Sequence, residues 1–312
     1  MTNIGSWNIW GLNSPTKQKV VRDWIYKHSL GIIGLLETKI APARMNAVIS
    51  GLALPSWKFL SNVSAHPSCR ILVGWDPLQY DLVCSHYSEQ WVTCDVITLS
   101  SHARLRITFV YGLNNPSGRG TLWNYIQHQA PLFSSSPWAL LGDFNAILRT
   151  TDRSGGDASW YGHMEDFGCC INDSELSQIS YSGMKYTWHN GQLGNSAIMK
   201  KLDWIFGNSS FLNSWPTAHS QFLPRDHSDH SSMVLTLSSP LPHSPSPFKF
   251  LNVWADREDF LDIVKSAWES PVHGTPIYSF TTKLRLLKHT LKSLHRHHTS
   301  HISNRVAEAK HR

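Results

Sequence analysis

The chain has 312 residues, 41% of them hydrophobic, with 14 Trp and with 28 Lys/Arg against 22 Asp/Glu. That is enough for one large domain with a tail, or for two modest domains around ordinary cores. No run of about 18 uncharged apolar residues occurs, which argues against a membrane span. The start MTNIGSWNIWGL lacks a charged region leading into an apolar run, so no secretory signal is expected. Cys69, Cys84, Cys94, Cys169 and Cys170 are odd in number and form no CxxC pair, which suits reduced thiols in an intracellular protein. The formal charge of +6 is local: residues 281–312 hold eight Lys/Arg and one acid, Glu308, leaving residues 1–280 with 20 basic and 21 acidic residues. A nucleic-acid partner is compatible with this balance but not demanded by it.

Strand signals in chain order fall at Ile4–Trp10, Ile32–Glu37, Trp57–Val63, Arg70–Trp75, Trp91–Leu99 and Arg104–Tyr111. They continue at Trp138–Asn145, Tyr186–His189, Leu202–Phe206 and Ser232–Leu237. Each is rich in β-branched or aromatic residues and is bounded by turn formers. Ser14 as cap, Pro15 at the first helical position, and Val20, Val21, Trp24 and Ile25 at helical spacing predict a first helix. Further helices are expected over Gly120–Leu132 and His163–Leu176. Trp91–Leu99 and Arg104–Tyr111 read as a hairpin around Ser100–Ala103. A purely parallel sheet is thereby disfavoured, and two packed sheets with helices outside fit better.

Ser238–Pro247 (SSPLPHSPSP) reads as an extended linker. Beyond it, Phe248–Trp268 carries Phe260, Ile263, Val264 and Trp268 at helical spacing. Lys283–His301 carries Leu284, Leu287, Leu291 and Leu294 on one face. His297 and His301 sit one turn apart, but without Cys or acidic partners a solvated basic face outweighs a zinc site.

The chemistry concentrates at strand ends. GDFN (Gly142–Asn145) follows the apolar run WALL, and sheet ends are where open α/β folds build ligand sites. Asn8, Glu37, Tyr111, Asp143, Asn145, Asp203, Asp229 and His230 lie in, at the end of or after strand-like segments, where an unpaired polar group is costly. One metal ion and one phosphate shared among them would account for the set. Glu37 suits a hard divalent cation, joined by Asn8 and Asp229. Asp143 and Asn145 could orient and deprotonate a water, His230 could move a proton, and Asp203 would set its tautomer. Tyr111 could bond the phosphate or the leaving oxygen. Individually, Tyr111 also reads as core packing and Asn8 as a turn residue. No GxSxG elbow and no P-loop occur.

These segments together resemble the endonuclease/exonuclease/phosphatase superfamily, and within it the endonuclease domains that open plant LINE-type retrotransposon polyproteins. The resemblance runs in family order over residues 1–237. It rests on SWNIWGL, LLET, RILVGWDP, FVYG, GDFNAI, DRSGG (Asp152–Gly156), YTWHN, KLDWIF and SDHS. PFKFLNVWADREDF (Pro247–Phe260) is similar to the segment that leads to the reverse transcriptase in such elements, and no x-x-Asp-Asp box follows. The resemblance implies a four-layer α/β/β/α sandwich of two packed mixed sheets with outer helices. It implies Mg2+ or Mn2+ dependence and nicking of duplex DNA to leave a 3′-hydroxyl. Asn8, Glu37 and Asp229 fall on metal positions, with Asn8 and Thr187 also on phosphate positions. Tyr111, Asp143, Asn145, Asp203 and His230 fall on the catalytic ones. Leu36, Lys201, Trp204 and Ser232 depart from the usual Gln, Arg, Tyr or His, and apolar residue. The implied organisation is an endonuclease-like domain (1–237), a Pro/Ser linker (238–247) and a helical basic tail (248–312). Its partners would be DNA, and RNA through the tail, with no membrane; a DNA substrate implies nuclear residence. The alternatives are a phosphatase on a small phosphoester and a silent nucleic-acid-binding remnant.

Overall fold

Strand alternation and helix amphipathicity sort the apolar residues into three cores, and the layering follows from them. The structure, a computed structural model, describes residues 2–157, 159–238, 259–272 and 274–291, with His163 described by its backbone alone. The chain divides into two units, Met1–Leu241 and Pro242–Arg312. The first begins with β1 (Thr2–Asn8), α1 (Pro15–Lys27), β2 (Ile32–Ile40), α2 (Met45–Leu52), β3 (Lys58–Ser61), β4 (Cys69–Trp75), β5 (Tyr80–Tyr87) and β6 (Trp91–Thr98). Next come β7 (Arg104–Tyr111), α3 (Gly120–Phe133), β8 (Trp138–Asp143), β9 (Arg153–Ser154), α4 (Glu165–Asp173) and β10 (Ser177–Gln178). It closes with β11 (Tyr181–Gly183), β12 (Trp188–His189), β13 (Met199–Lys200), β14 (Asp203–Gly207), α5 (Ser209–Ser214), β15 (His219–Phe222) and β16 (Met233–Leu237).

Seven strands form one sheet in the order β11-β15-β16-β1-β2-β4-β3, and six form a second in the order β10-β14-β8-β7-β6-β5. A small third sheet runs β12-β13-β9. Both large sheets are mixed: β1 is parallel to β2 and antiparallel to β16, and β7 is parallel to β8 and antiparallel to β6. Ile4, Ile32, Leu36, Ile71 and Val73 of the first sheet meet Val92, Ile107, Phe109, Leu141 and Ile205 of the second in a central core. The outer face of the first sheet (Trp7, Ile33, Leu35) is covered by Val21, Trp24 and Ile25 of α1 and by Val48 and Leu52 of α2. The outer face of the second (Val110, Leu140, Phe206) is covered by Leu122, Trp123 and Ile126 of α3 and by Phe167, Cys170 and Ile171 of α4. The result is a four-layer α/β/β/α sandwich.

Helix α1 starts as its caps predict. The Ser14 hydroxyl accepts from Lys17 N at 3.3 Å, with Pro15 in the first turn. Elsewhere the boundaries move. The predicted strand Ile32–Glu37 runs on to Ile40 through a register break. Tyr186–His189 narrows to β12, and His163–Leu176 becomes a short 3-10 turn followed by α4. Strand β5 and helix α2 carry no expectation from sequence. In β5, Val83 and Tyr87 face solvent at the sheet edge, which blurs the alternation.

In the second unit, α6 (Phe260–Glu269) lies within the amphipathic stretch expected there, and the next helix covers 276–291, starting earlier than Lys283. The Trp268 and Phe280 rings meet edge-on at 5.8 Å, and Lys283 Nζ donates to Trp268 O at 2.5 Å. The linker from residue 239 on, and the tail beyond 291 with His297 and His301, lie outside the described residues. Among the described residues no helix is long and apolar enough to cross a membrane.

Candidate active site

Alternation decides which polar side chains enter the seam between the two sheets. Ile4 faces the central core, so Asn8, four residues later on the same strand, faces it too. The same parity puts Tyr111 with Phe109, Asp143 with Leu141, and Asp203 with Ile205. Tyr111 and Asp143 end parallel neighbours and pair with each other, while antiparallel β14 starts with Asp203 opposite Asp143. Four polar residues therefore collect at one end of the seam. Gly142 makes this possible: its φ is 150°, and a Cβ there would lie 2.0 Å from Val110 O.

Glu37 breaks the parity. Leu36 faces the central core, so an unbroken β2 would turn Glu37 outward, toward α1 and α2. Positive φ values at Glu37 (51°) and Lys39 (53°), with the register break between Leu36 and Ile40, re-aim it into the seam. There its Oε2 accepts from Asn8 Nδ2 at 3.2 Å, and its charge acts on the Tyr111 phenol.

The rest of the network is continuous. Asn8 Nδ2 also donates to Asp143 Oδ2 at 2.9 Å, and Asn8 Oδ1 accepts from Trp10 N at 3.1 Å. Asp143 Oδ1 accepts from Asn145 N at 2.9 Å, and Asn145 Nδ2 donates to Gly112 O at 2.8 Å and Asp143 Oδ2 at 3.3 Å. His230 Nε2 lies 3.6 Å from Asp143 Oδ2, and its Nδ1 lies 2.9 Å from Asp203 Oδ2. The segment carrying this histidine is tied to β1: Trp7 Nε1 donates to His230 O at 3.2 Å, and Ser228 Oγ donates to Asn8 O at 2.6 Å. Asp229 Oδ2 accepts from Trp188 Nε1 at 2.9 Å. Thr187 is buried like its neighbours, and its hydroxyl oxygen accepts from Leu202 N at 3.1 Å and Asp203 N at 3.0 Å, which makes it a tether behind Asp203.

Burial pushes the Asp143 carboxyl up to about 7; Asp203 adds to this, while His230 and the hydrogen bonds from Asn8 and Asn145 hold it back. Burial alone would pull His230 down, but the carboxylates of Asp203 and Asp143 outweigh it and carry the imidazole up to about 10. The two carboxylates thus favour the protonated ring, whose Nε2 lies toward Asp143. Burial, then Glu37 and Asp143, raise the Tyr111 phenol above its usual range, so it stays a donor.

Asp143, Asp203 and His230 offer ligand atoms within 4.8 Å of one another and could hold a metal ion. Their hydrogen bonds and the protonated ring suit proton handling better. The carboxylates of Glu37 and Asp229 fit a hard cation on donor chemistry, and Asn8 could join them through its Oδ1, which accepts here from Trp10 N. This corner already draws cations: Lys39 Nζ lies 2.9 Å from Glu37 Oε1, and the charges of Asp229 and Glu37 oppose the lowering that burial imposes on Lys17. Lys17 Nζ donates to Ile9 O at 2.6 Å and Trp10 O at 2.7 Å. The sequence reading gave no role at the site to Lys17, Lys39, Ser228 or Arg70, whose guanidinium carbon lies 5.7 Å from the Tyr111 ring centroid. Two of them carried a signal, Ser228 through SDHS and Arg70 through RILVGWDP.

Residues 5–230 match the Endonuclease/Exonuclease/phosphatase family. Comparison with curated proteins gives no match. Among solved structures, the chain is similar to the endonuclease domain of TRAS1, a telomere-specific non-LTR retrotransposon. The identity is 12%, with 78% of this chain and 100% of that one covered and a TM-score of 0.57. It is similar to an AP endonuclease from Leishmania major (12%, covering 77% and 88%, TM-score 0.62). It is also similar to a mannosyl-6-phosphatase from Bacteroides thetaiotaomicron (12%, covering 76% and 100%, TM-score 0.55). At such identities the structures share the fold, and the family assignment stands on the match over residues 5–230: the chain belongs to the Endonuclease/Exonuclease/phosphatase family.

Proposed function

We propose that the chain is a divalent-metal-dependent phosphodiesterase acting as a DNA endonuclease, nicking one strand of a duplex to leave a 3′-hydroxyl. The observation that carries this reading is the unbroken polar chain Glu37–Asn8–Asp143–His230–Asp203 at the end of the sheet seam. Asp143, whose proton affinity lies near neutrality, accepts a proton from water that Asn145 helps to orient. His230 donates from Nε2 to a phosphate oxygen, and Asp203 holds the Nδ1 proton and the ring's orientation. Tyr111 supplies a hydroxyl donor toward the phosphate or the leaving oxygen. Glu37, Asn8 and Asp229 would hold Mg2+ or Mn2+, which when bound neutralises charge on the phosphate. Thr187 acts as a positioning residue through Asp203 rather than as a phosphate contact. A LINE-type origin, DNA as partner, a nucleic-acid contact through the basic tail and nuclear residence follow from the sequence motifs and this substrate.

The test is relaxation of supercoiled plasmid with a metal titration. Nicking should require Mg2+ or Mn2+, and Glu37→Ala and His230→Ala should each lower it by about 10²–10⁴-fold. Nicking that survives EDTA and both substitutions would sink the assignment. Release of inorganic phosphate from small phosphoesters without nicking would favour the phosphatase instead.

A further inference from the structure

Beside Asn145 lies a cleft of about 180 Å³ whose lining includes Asn114, Arg119, Asn145, Arg153, Lys200 and Leu202. Three of these are cations and, among the described residues, none of the lining side chains is acidic. The small sheet creates the concentration of charge. Lys200 of β13 stands directly opposite Arg153 of β9 in an antiparallel ladder, so both side chains leave the same face. Like charges in that register destabilise a sheet unless something offsets them. Lys200 bears this directly: burial lowers its pKa, and Arg153 and Arg119 lower it further.

Acids do lie near two of the cations. Asp166 and Asp143 favour the charge on Arg119, and Arg153 helps hold the exposed Asp157 carboxyl low. Arg119 is also committed to its own loop, donating from Nη1 to Leu113 O at 2.9 Å and Asn114 O at 3.1 Å. Among the described residues, no carboxylate figures in the charge environment of Lys200. Asn145 borders both places, since its Nδ2 reaches Asp143 Oδ2 at 3.3 Å, so whatever fills the cleft lies next to the reacting centre.

We propose that this cleft binds a second, uncut phosphodiester of a polynucleotide strand, with Lys200 and Arg153 as its principal cations and Arg119 shaping the floor. The inference rests on the nuclease reading and deepens it: a substrate with a single phosphate cannot use the cleft, whereas a nucleic-acid strand can. An oxyanion with several waters, each taking about 30 Å³, fits the available space.

Fluorescence anisotropy with a labelled duplex in EDTA, titrated with NaCl, tests it on the full chain. Arg153→Ala and Lys200→Ala should each weaken binding across unrelated sequences and reduce the salt slope by about 1. With Mg2+, the loss of kcat/KM on the duplex should exceed that on bis(p-nitrophenyl) phosphate by at least about tenfold. Urea midpoints check folding, and Lys200→Ala should be no less stable than the wild type, because it relieves the cross-strand repulsion. Unchanged slopes with intact wild-type nicking would overturn the cleft alone, as would equal losses on both substrates. A wild-type chain that neither binds nor nicks duplex while hydrolysing small phosphoesters would overturn the cleft and the nuclease reading together.

Discussion

Asp203 and Lys201 show how much a single side chain decides in this site. Asp203 spends one oxygen on His230, while its Oδ1 is buried without a hydrogen-bond partner among the described residues. Asp203→Asn should leave the backbone tethered by Thr187 but deprive the imidazole of its counter-charge. Turnover in the plasmid assay is expected to fall by about 10²–10⁴-fold, and the urea midpoint at pH 7 should fall as well, because the buried ring loses a carboxylate that favours its charge. Lys201, two residues earlier, is 1% exposed, and its Nζ, also without a hydrogen bond, lies 3.9 Å from the Phe222 ring centroid, 4.1 Å from that of Tyr181 and 4.8 Å from that of Trp204. Burial pulls its pKa down to about 8, against the pull of Asp203 and Asp152. Because the folded value lies below the unfolded one, the unfolded chain holds more protons between about pH 8 and 10.5, and stability gains with pH there. Lys201→Met should therefore be more stable than the wild type at pH 7, with the gap closing toward pH 10.5. Urea midpoints at several pH values read this, and a gap that does not change with pH would mean that the ammonium is not the cause.

At the scale of elements, β2 and β8 position the chemistry by departing from regular strand geometry. The left-handed backbone at Glu37 costs a non-glycine residue about 1–3 kcal/mol and persists because the surrounding bonds over-determine it. Glu37→Gly keeps that backbone and removes the carboxylate. It should therefore match wild-type stability to within about 1 kcal/mol while losing metal-dependent nicking. Gly142 is the opposite case. An alanine there meets Val110 O at 2.0 Å on a backbone with φ 150°, so Gly142→Ala should destabilise by about 2–4 kcal/mol in urea unfolding. Helix α1 contributes Lys17 to the site and depends on its cap. Ser14→Ala should cost about 1 kcal/mol.

For the whole molecule, all three cores draw, among the described residues, on residues up to Leu237. A chain ending at residue 241 should therefore still unfold cooperatively, as circular dichroism in urea would show. The same truncation removes the eight Lys/Arg of residues 281–312. It should flatten the salt dependence of duplex binding without stopping metal-dependent nicking. An unchanged slope would remove the tail from the nucleic-acid contact.

What the amino-acid order determined by itself was local. Alternation set which face each strand buries, polar residues marked the strand ends at Asn8, Tyr111, Asp143 and Asp203, and Ser14 with Pro15 marked a helix start. The family motifs extended this to the layered fold and to the set of side chains that the structure brings to one end of the seam. Parity alone would have turned Glu37 away, and only the register break in β2, set by pairing with β1 and β4, brings it in. Pairing likewise decided that Lys200 faces Arg153, and that Asn8 bonds a carboxylate 135 residues distant. Side-chain parity is a property of a few consecutive dihedrals and can be read in the chain order. Which strand edges meet, and how far each side chain is removed from water, depends on the packing of the entire sandwich, and so does the proton affinity of Asp143, His230 and Lys201.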